Sequence, residues 1–236
     1  MIEARELSVG HGGRTVLGPL SGVFGEGVLL VAGPSQSGKS TLLKALCGLV
    51  PLTGGEVRID GIPLTPGSPQ LLEARASVGM VFQGDALFDS QDALANVVLP
   101  LLRRGVKRAE ATERAEEALQ QVGLAGHERV LPERLSGGMR KRLGLARAIV
   151  ARPRYLLADD PFAGLDPGTV EKVRELVMSL WGEKGGLIVA TADPTPLWSC
   201  ASEALVLDAG REIARGPALA VRREAKVAKL FGEAAA

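Results

Sequence analysis

A glycine-rich segment near the start of the chain has the residue types and the spacing that bind phosphate. It reads Gly33-Pro34-Ser35-Gln36-Ser37-Gly38-Lys39-Ser40-Thr41, which fits the pattern G-x-x-x-x-G-K-[ST] without a mismatch. The apolar run 28–32 before it predicts a buried strand, and the residues after Ser40 have helical spacing. A strand, a tight turn and a helix N-terminus together point several backbone N–H groups at one anion. The segment therefore predicts a nucleoside triphosphate site, with Lys39 on the β- and γ-phosphates and the Ser40 hydroxyl on Mg²⁺.

Two acids end a second apolar run. Tyr155-Leu156-Leu157-Ala158 predicts a buried strand, and Asp159 and Asp160 follow it directly. Because the carboxyl ends of parallel strands meet at one edge of a sheet, we expect these acids beside the phosphate-binding turn. Carboxylate oxygens suit Mg²⁺, and Asp159 is expected to hold the ion directly or through a water.

A third segment, Leu135-Ser136-Gly137-Gly138-Met139, predicts the start of a helix that stops before Pro153. Ser136 has the side chain of an N-cap, and the two glycines let backbone N–H groups approach a phosphate closely. Taken alone, an ordinary capped helix explains the segment equally well.

In chain order, the segment 33–41, Gln83, Ser136-Gly137-Gly138 and Asp159 resemble the ATP-binding subunits of ABC transporters. The resemblance covers nearly the whole chain. It implies an ATPase that binds ATP together with Mg²⁺. The residues that would hold the ion are Ser40, Gln83 and Asp159. It also implies a second ATPase chain as partner, most simply a copy of the same chain, and an integral membrane permease. Through the permease, the protein would sit peripherally on the cytoplasmic face of the inner membrane.

The resemblance also implies roles for single residues. Ser136-Gly137-Gly138 would contact the γ-phosphate of the ATP held by the facing subunit, and Asp166 lies in a loop that would touch the same opposite site. Gln83 would belong to the catalytic residues, sensing Mg²⁺ and the γ-phosphate and coupling them to the permease. His11 stands where the family usually has an aromatic ring against adenine. Its imidazole could stack there, or it could be a solvated turn residue.

Two positions depart from the family pattern. The residue after the magnesium-binding acid is normally Glu, the general base, and here it is Asp160, whose carboxylate is drawn back by roughly 1 Å. The residue after Thr191 is normally a histidine that contacts the γ-phosphate, and here it is Ala192, which offers no polar side chain. These departures predict slow hydrolysis or a dependence on a complete partner chain. The alternative is that a small backbone shift lets Asp160 reach the water at an ordinary rate.

A finer resemblance concerns the type of transporter. Three segments look like those of the ATPases of Mla-type phospholipid transporters. These segments are Phe82-Gln83-Gly84-Asp85-Ala86-Leu87-Phe88-Asp89, Asn96-Val97-Val98-Leu99-Pro100-Leu101 and Met139-Arg140-Lys141-Arg142. This resemblance implies phospholipid transport and, as further partners, an MCE lipid-binding protein and a small regulatory subunit. Residues 84–102 would line the groove that receives the permease, although a plain helical surface is the alternative. The tail 222–231 either docks on such a partner or forms a short helix that closes its own domain.

The order of predicted elements indicates an α/β fold, because short strands alternate with helices after residue 150. The resemblance implies a phosphate-loop, RecA-like parallel-sheet core with an N-terminal antiparallel β subdomain and an inserted α-helical subdomain. We expect a single ABC ATP-binding domain over 1–236, with the core in 1–84 and 151–236 and the helical subdomain in about 85–150.

The composition narrows the classes of function. Charge is nearly balanced, with 28 Lys+Arg against 27 Asp+Glu, and aromatic residues make up 3%, which argues against a nucleic-acid partner. The N-terminus lacks the apolar core of a signal peptide, and no apolar run approaches the ~20 residues that cross a bilayer. The two cysteines, Cys47 and Cys200, have no metal-ligand spacing and are expected to be buried thiols.

Two other classes of function remain open at this point. Soluble ABC proteins of DNA repair or translation usually carry a coiled-coil insertion or two cassettes in one chain, and 236 residues hold one cassette. A structural or regulatory subunit that binds ATP without turnover is favoured by Asp160 and Ala192.

Overall fold

The computed structural model describes residues 1–181 and 185–232. The strands and helices alternate as the sequence predicts after residue 150, while the first part is mainly strand. The strands are β1 Ile2–His11, β2 Arg14–Phe24, β3 Val28–Ala32, β4 Gly54–Ile59, β5 Ile62–Pro63, β6 Val78–Val81, β7 Tyr155–Asp159, β8 Gly186–Thr191, β9 Glu203–Asp208 and β10 Arg211–Pro217. The helices are α1 Lys39–Leu46, α2 Leu71–Ala76, α3 Ala93–Leu102, α4 Arg108–Gln121, α5 Gly137–Ile149, α6 Pro167–Trp181, α7 Ala218–Arg223 and α8 Ala225–Phe231, with a 3₁₀ turn at Pro132–Arg134.

Two sheets form in the described part of the chain. The N-terminal sheet is antiparallel with strand order β2-β1-β4-β5, and its first hairpin turns at Gly12 and Gly13, both with positive φ. The second sheet has the order β10-β9-β3-β8-β7-β6, and all of its pairs are parallel except β10 with β9. The α/β fold class with an antiparallel N-terminal sheet is therefore confirmed.

The six-stranded sheet is covered on both faces, which explains its continuous apolar strands. Alternate residues of β3 serve different cores. Leu30 packs with residues of α3, α4, α5 and α6, whereas Leu29 and Val31 pack with α1 and the antiparallel sheet. The sheet is thus the rigid layer from which the functional loops project.

Helix boundaries follow local signals that the sequence carries. Ser136 caps α5, as predicted, by accepting a hydrogen bond from the Met139 N–H at 3.3 Å. Gly123 lies just past the end of α4 with φ 68°, the left-handed conformation that ends many helices. Three helices, α3, α4 and α5, fall within the expected helical subdomain, but the subdomain division itself stays a prediction.

The C-terminal helices pack on their own domain. Val227 and Ala228 of α8 are buried, and the rings of Phe231 and Trp198 meet edge to face at 6.3 Å. Among the two alternatives for the tail, the helix that closes its own domain is therefore the one observed. The thiols differ from expectation in one respect: Cys47 is buried, whereas Cys200 is partly exposed beside Arg174.

One buried amide fixes the loop between β6 and α3. Asn96 is fully buried; its Oδ1 accepts from the Phe88 N–H at 2.8 Å, and its Nδ2 donates to the carbonyls of Phe88, Gln91 and Asp92 at 3.0–3.1 Å. Every polar atom of this side chain is thus used to shape the loop.

We expect Asn96→Ala to lower the free energy of unfolding by about 1–3 kcal/mol, because the Phe88 N–H and the Gln91 carbonyl lose their side-chain partner, while the Phe88 and Asp92 carbonyls keep backbone donors. Urea unfolding measures the change. Gln91→Ala, a change at an exposed neighbour, is the control and should stay within about 0.5 kcal/mol of the parent. A loss for Asn96→Ala no larger than that of the control would contradict this role.

Candidate nucleotide-binding site

The candidate site forms at the carboxyl edge of the large sheet. Strands β3, β8, β7 and β6 are adjacent and parallel, so their C-terminal ends lie side by side. The loops after these strands carry the phosphate-binding turn, Ala192, Asp160 and Gln83, respectively. The strand order, which the sequence alone does not reveal, therefore places Ala192 between the phosphate-binding turn and the acids Asp159 and Asp160.

The phosphate-binding turn has the backbone that its glycines allow. Gly38 precedes α1 with φ 103°, a conformation that side chains disfavour. A Cβ at Gly33 would lie 2.2 Å from the Leu207 carbonyl oxygen, so this turn packs tightly against β9. The Gly210 N–H donates to the Ser37 carbonyl at 3.0 Å and braces the turn from the other side. The first N–H groups of α1 have no partner within the helix, which leaves them available for an anion.

Lys39 is buried and folded back over the turn. Its Nζ donates to the carbonyl oxygens of Gly33 at 2.7 Å and Pro34 at 2.8 Å. Burial lowers the pKa of Lys39, although the carboxylates of Asp160 and Asp159 oppose this shift. A bound polyphosphate would supply the negative charge that this partly desolvated ammonium lacks.

Ser40 and Asp159 are joined directly. The Ser40 hydroxyl donates to Asp159 Oδ1 at 2.8 Å, and Asp159 is only 3% exposed. Burial raises the pKa of Asp159, with the Ser40 hydrogen bond opposing the shift. A divalent cation between these two oxygens would favour the ionised carboxylate, so the pair has the chemistry of a Mg²⁺ site.

An orphaned atom in the turn supports the fit to a phosphate. Ser37 is 2% exposed, and its Oγ has no hydrogen-bond partner within the described residues. A buried hydroxyl without a partner is costly, and a phosphate oxygen would satisfy it. The residues present therefore fit ATP with Mg²⁺.

The other expected nucleotide contacts are exposed or half-buried. Ser35 and Gln36 lie at the tip of the turn, with Gln36 at φ 67°, and Thr41 is half-buried on α1. His11 ends β1 at the hairpin and is exposed, with Arg14 as its pairing residue on β2. Whether its ring stacks on adenine therefore stays a prediction.

Gln83 follows β6 in the loop that Asn96 shapes. Its side chain is exposed, and its carbonyl accepts a hydrogen bond from Lys141 of α5. The structure thus brings Gln83 to the correct edge of the sheet and also ties its backbone to the helix that begins at Ser136.

The segment Ser136-Gly137-Gly138 lies apart from the phosphate-binding turn, in a cavity of about 730 Å³ that it shares with Gly164, Leu165 and Asp166. A Cβ at Gly138 would lie 2.7 Å from Thr169 Cγ2, so a side chain there would have to displace the Thr169 methyl group on α6. A Cβ at Gly137 would meet nothing closer than 3.8 Å, so this position is open to a ligand. Asp166 Oδ1 accepts from the Thr169 N–H at 3.1 Å, and the hydrogen bonds from Thr169 lower the pKa of Asp166.

Asp160 is held by a residue that the sequence reasoning did not single out. The Thr191 hydroxyl, buried at the end of β8, lies 3.1 Å from Asp160 Oδ1, and the Asp160 N–H donates to the Ala190 carbonyl at 2.8 Å. These contacts fix Asp160 in a left-handed conformation with φ 47°. Asp160 and Ala192 line one cavity of about 270 Å³. The only sequence signal for Thr191 was its position, since it is a polar residue at the end of a buried strand.

Comparison with known proteins decides the family. Residues 22–163, more than half of the chain, match the family described as ABC transporter. This chain belongs to the ABC transporter family. Its members include ATPases coupled to transport, whose usual ligand is ATP with Mg²⁺.

The similar curated proteins are import ATPases. The taurine import ATP-binding protein TauB of Pseudomonas aeruginosa is 42% identical over 87% of this chain and 77% of its own length. The ferric ion import protein FbpC of Streptomyces coelicolor is 38% identical over 98% of this chain and 67% of its own length. For the methionine import protein MetN of Carboxydothermus hydrogenoformans the identity is 37%, and the match covers 79% of this chain but only 56% of MetN.

Solved structures agree on the fold. The cassette MJ0796, solved as a dimer in a post-hydrolysis state with ADP and Pi, has a TM-score of 0.83 and 30% identity, covering 92% of this chain and 99% of that one. The cbiO1 protein of Clostridium perfringens, part of the cbiONQ complex, also has a TM-score of 0.83, at 26% identity over 97% of this chain and 92% of its own. None of these names refers to phospholipids, to an MCE protein or to a regulatory subunit, so the finer resemblance gains no support from them.

No helix within residues 1–181 and 185–232 combines the length and apolarity that a membrane span requires. The ATP-binding subunits of the family are peripheral proteins of the cytoplasmic face, held there by permeases.

Proposed function

We propose that this ABC cassette is the ATP-hydrolysing subunit of a membrane transporter and works as a dimer on a permease. The observation that carries the proposal is the Ser40–Asp159 hydrogen bond of 2.8 Å, which joins the phosphate-binding segment to the end of β7. It supports a magnesium nucleotide site, and family membership supplies the coupling to transport. The single domain over 1–236, with a helical subdomain in about 85–150, belongs to the same proposal.

The residues of the turn bind and orient the triphosphate. Lys39 exchanges its two carbonyl partners for phosphate oxygens, and Ser37 gains the partner that it lacks. Ser40 and Asp159, with Gln83, would hold Mg²⁺, which when bound would neutralise charge on the phosphates. Asp160 is the base that faces the attacking water.

The dimer completes each site. Ser136-Gly137-Gly138 and Asp166 share a cavity that is distant in the chain from the phosphate-binding turn, and Gly137 leaves open space there. A second copy facing head to tail would bring this cavity onto the nucleotide of the first copy. ATP would then act as the contact that closes the dimer, and closure would drive the permease.

Purification from detergent-extracted membranes tests the proposal. We expect a multi-span permease to co-purify with two copies of this chain, and Mg²⁺-dependent ATP hydrolysis to rise when the permease is present. A purely soluble assembly, or a complex that does not bind ATP, would contradict it.

Two cargo classes have support of different kinds. Relatives named for taurine, methionine and ferric ion favour import of a small solute. The segments 82–89 and 96–101 favour phospholipid transport, with an MCE protein and a regulatory subunit as further partners. We favour the small solute, and co-purification of an MCE protein in the same experiment would overturn that choice.

A second candidate function is an ATP-binding structural or regulatory subunit with little hydrolysis. The observation that favours it is Asp160, which is one methylene shorter than Glu and is tied to Thr191 at 3.1 Å. Under this alternative the complex assembles with ATP, but phosphate release stays at the background level with the permease present.

A further inference from the structure

The helix that starts at Ser136 also holds the loop that contains Gln83. Lys141, in the second turn of α5, is only 7% exposed, and its Nζ lies 2.9 Å from Asp85 Oδ1. The same Nζ donates to the Gln83 carbonyl. Arg140 adds a longer contact, with its Nε 3.6 Å from Asp85 Oδ2. One carboxylate and one carbonyl of the loop are thus bound to consecutive residues of α5.

A third cation of α5, Arg147, binds two backbone carbonyls of the same loop. The Arg147 guanidinium donates to the Ala86 carbonyl at 2.6 Å and to the Asp85 carbonyl at 2.9 Å. It also lies over the Phe88 ring, 5.9 Å from the ring centroid. Contacts from charged donors to backbone carbonyls are about twice as strong as neutral ones, so this loop is held along its length.

The backbone of the loop needs this support. Asp85 and Ala86 have φ of 59° and 48°, in the left-handed region that residues other than glycine keep only when their surroundings hold them there. Gly144 of α5 faces the same segment, since a Cβ there would lie 3.7 Å from the Asp85 carbonyl. An unusual backbone that is bound by three cations of one helix moves with that helix.

We propose that Asp85, Lys141 and Arg147 form a latch that couples Gln83 to Ser136-Gly137-Gly138. The proposal rests on the proposed function. The latch makes the loop that contains Gln83, here called the glutamine loop, move together with α5. When the permease or Mg²⁺ displaces this loop, Ser136-Gly137-Gly138, which contacts the ATP of the facing subunit, is displaced as well. The three are positioning residues, and none of them contacts nucleotide.

The test compares Lys141→Met and Asp85→Asn with the parent in the complex with the permease. We expect each variant to bind ATP within about twofold of the parent, and the stimulation of hydrolysis by the permease to fall about tenfold. The double variant should be no worse than the more impaired single variant, because both changes break one ion pair. Amide hydrogen exchange at 84–88 should rise in both variants.

Arg152→Met is the matched control. Arg152 follows α5 and pairs with Glu117 at 3.8 Å, so its loss removes a cation from the same region without touching the glutamine loop. Unchanged stimulation or unchanged exchange in Lys141→Met and Asp85→Asn would overturn the latch. An equal loss of stimulation in Arg152→Met would also overturn the latch, because it would show that removing any cation from this region lowers stimulation. Failure of the parent complex to bind ATP would overturn the proposed function instead.

Discussion

Replacing Asp160 by Glu together with Ala192 by His should raise ATP hydrolysis by the complex about 100-fold. A carboxylate misplaced by roughly 1 Å can cost ~100-fold in rate, and a lost transition-state donor costs about 2.7–4 kcal/mol. Because both residues serve one reaction step, the two gains need not add. The added methylene lets the carboxylate extend past the Thr191 hydroxyl, which holds Asp160 at 3.1 Å.

Space for the imidazole is already present. Asp160 and Ala192 line the same cavity of about 270 Å³, so the larger side chain can enter without displacing the core. Phosphate release at saturating ATP measures the rate, with each single variant assayed beside the double one. A double variant no faster than the parent would show that Asp160 already reaches the water and that hydrolysis is not impaired.

Lys39→Met should lower ATP hydrolysis by about 10²–10³-fold and weaken ATP binding. Removing a preorganised donor to a developing negative charge costs this much in well-studied enzymes. Lys39 is the buried cation at the turn, and methionine keeps most of its length without the charge. Titration calorimetry measures binding, and phosphate release measures the rate.

The control for Lys39→Met is Lys229→Met, which removes an exposed lysine from α8. We expect the control to match the parent in binding and in rate. The melting temperature of Lys39→Met without nucleotide shows whether the fold survives. Hydrolysis by Lys39→Met at the parent rate would mean that the phosphates do not lie on this turn.

Local signals predicted much of the fold. The apolar run 28–32 and the capped helix at Ser136 are short-range features, and both are confirmed. Strand β10 was not predicted, because Arg211–Pro217 has no regular apolar alternation, ends in Gly216 and Pro217, and forms a strand by antiparallel pairing with β9. Strand β2 likewise depends on pairing, since its contacts with β1 carry it through Gly18 to Phe24.

The candidate site was predictable where it lies in one contiguous segment. The phosphate-binding turn has its complete pattern in eight consecutive residues, 33–40, so its geometry followed from the sequence. The Thr191–Asp160 contact joins two strands that are neighbours only in the folded sheet. The latch likewise joins distant parts of the chain, since Lys141 and Gln83 are 58 residues apart. Contacts of this kind depend on strand order and helix packing, which no local pattern determines.

Sedimentation of the chain with and without ATP and Mg²⁺, combined with a count of bound nucleotide, tests the central claim most directly. The account predicts a dimer that forms with ATP and Mg²⁺ and contains two nucleotides, whereas Ser136→Arg binds one nucleotide per chain and stays monomeric. A chain that binds no ATP, or a parent dimer that Ser136→Arg leaves intact with both nucleotides, would contradict it.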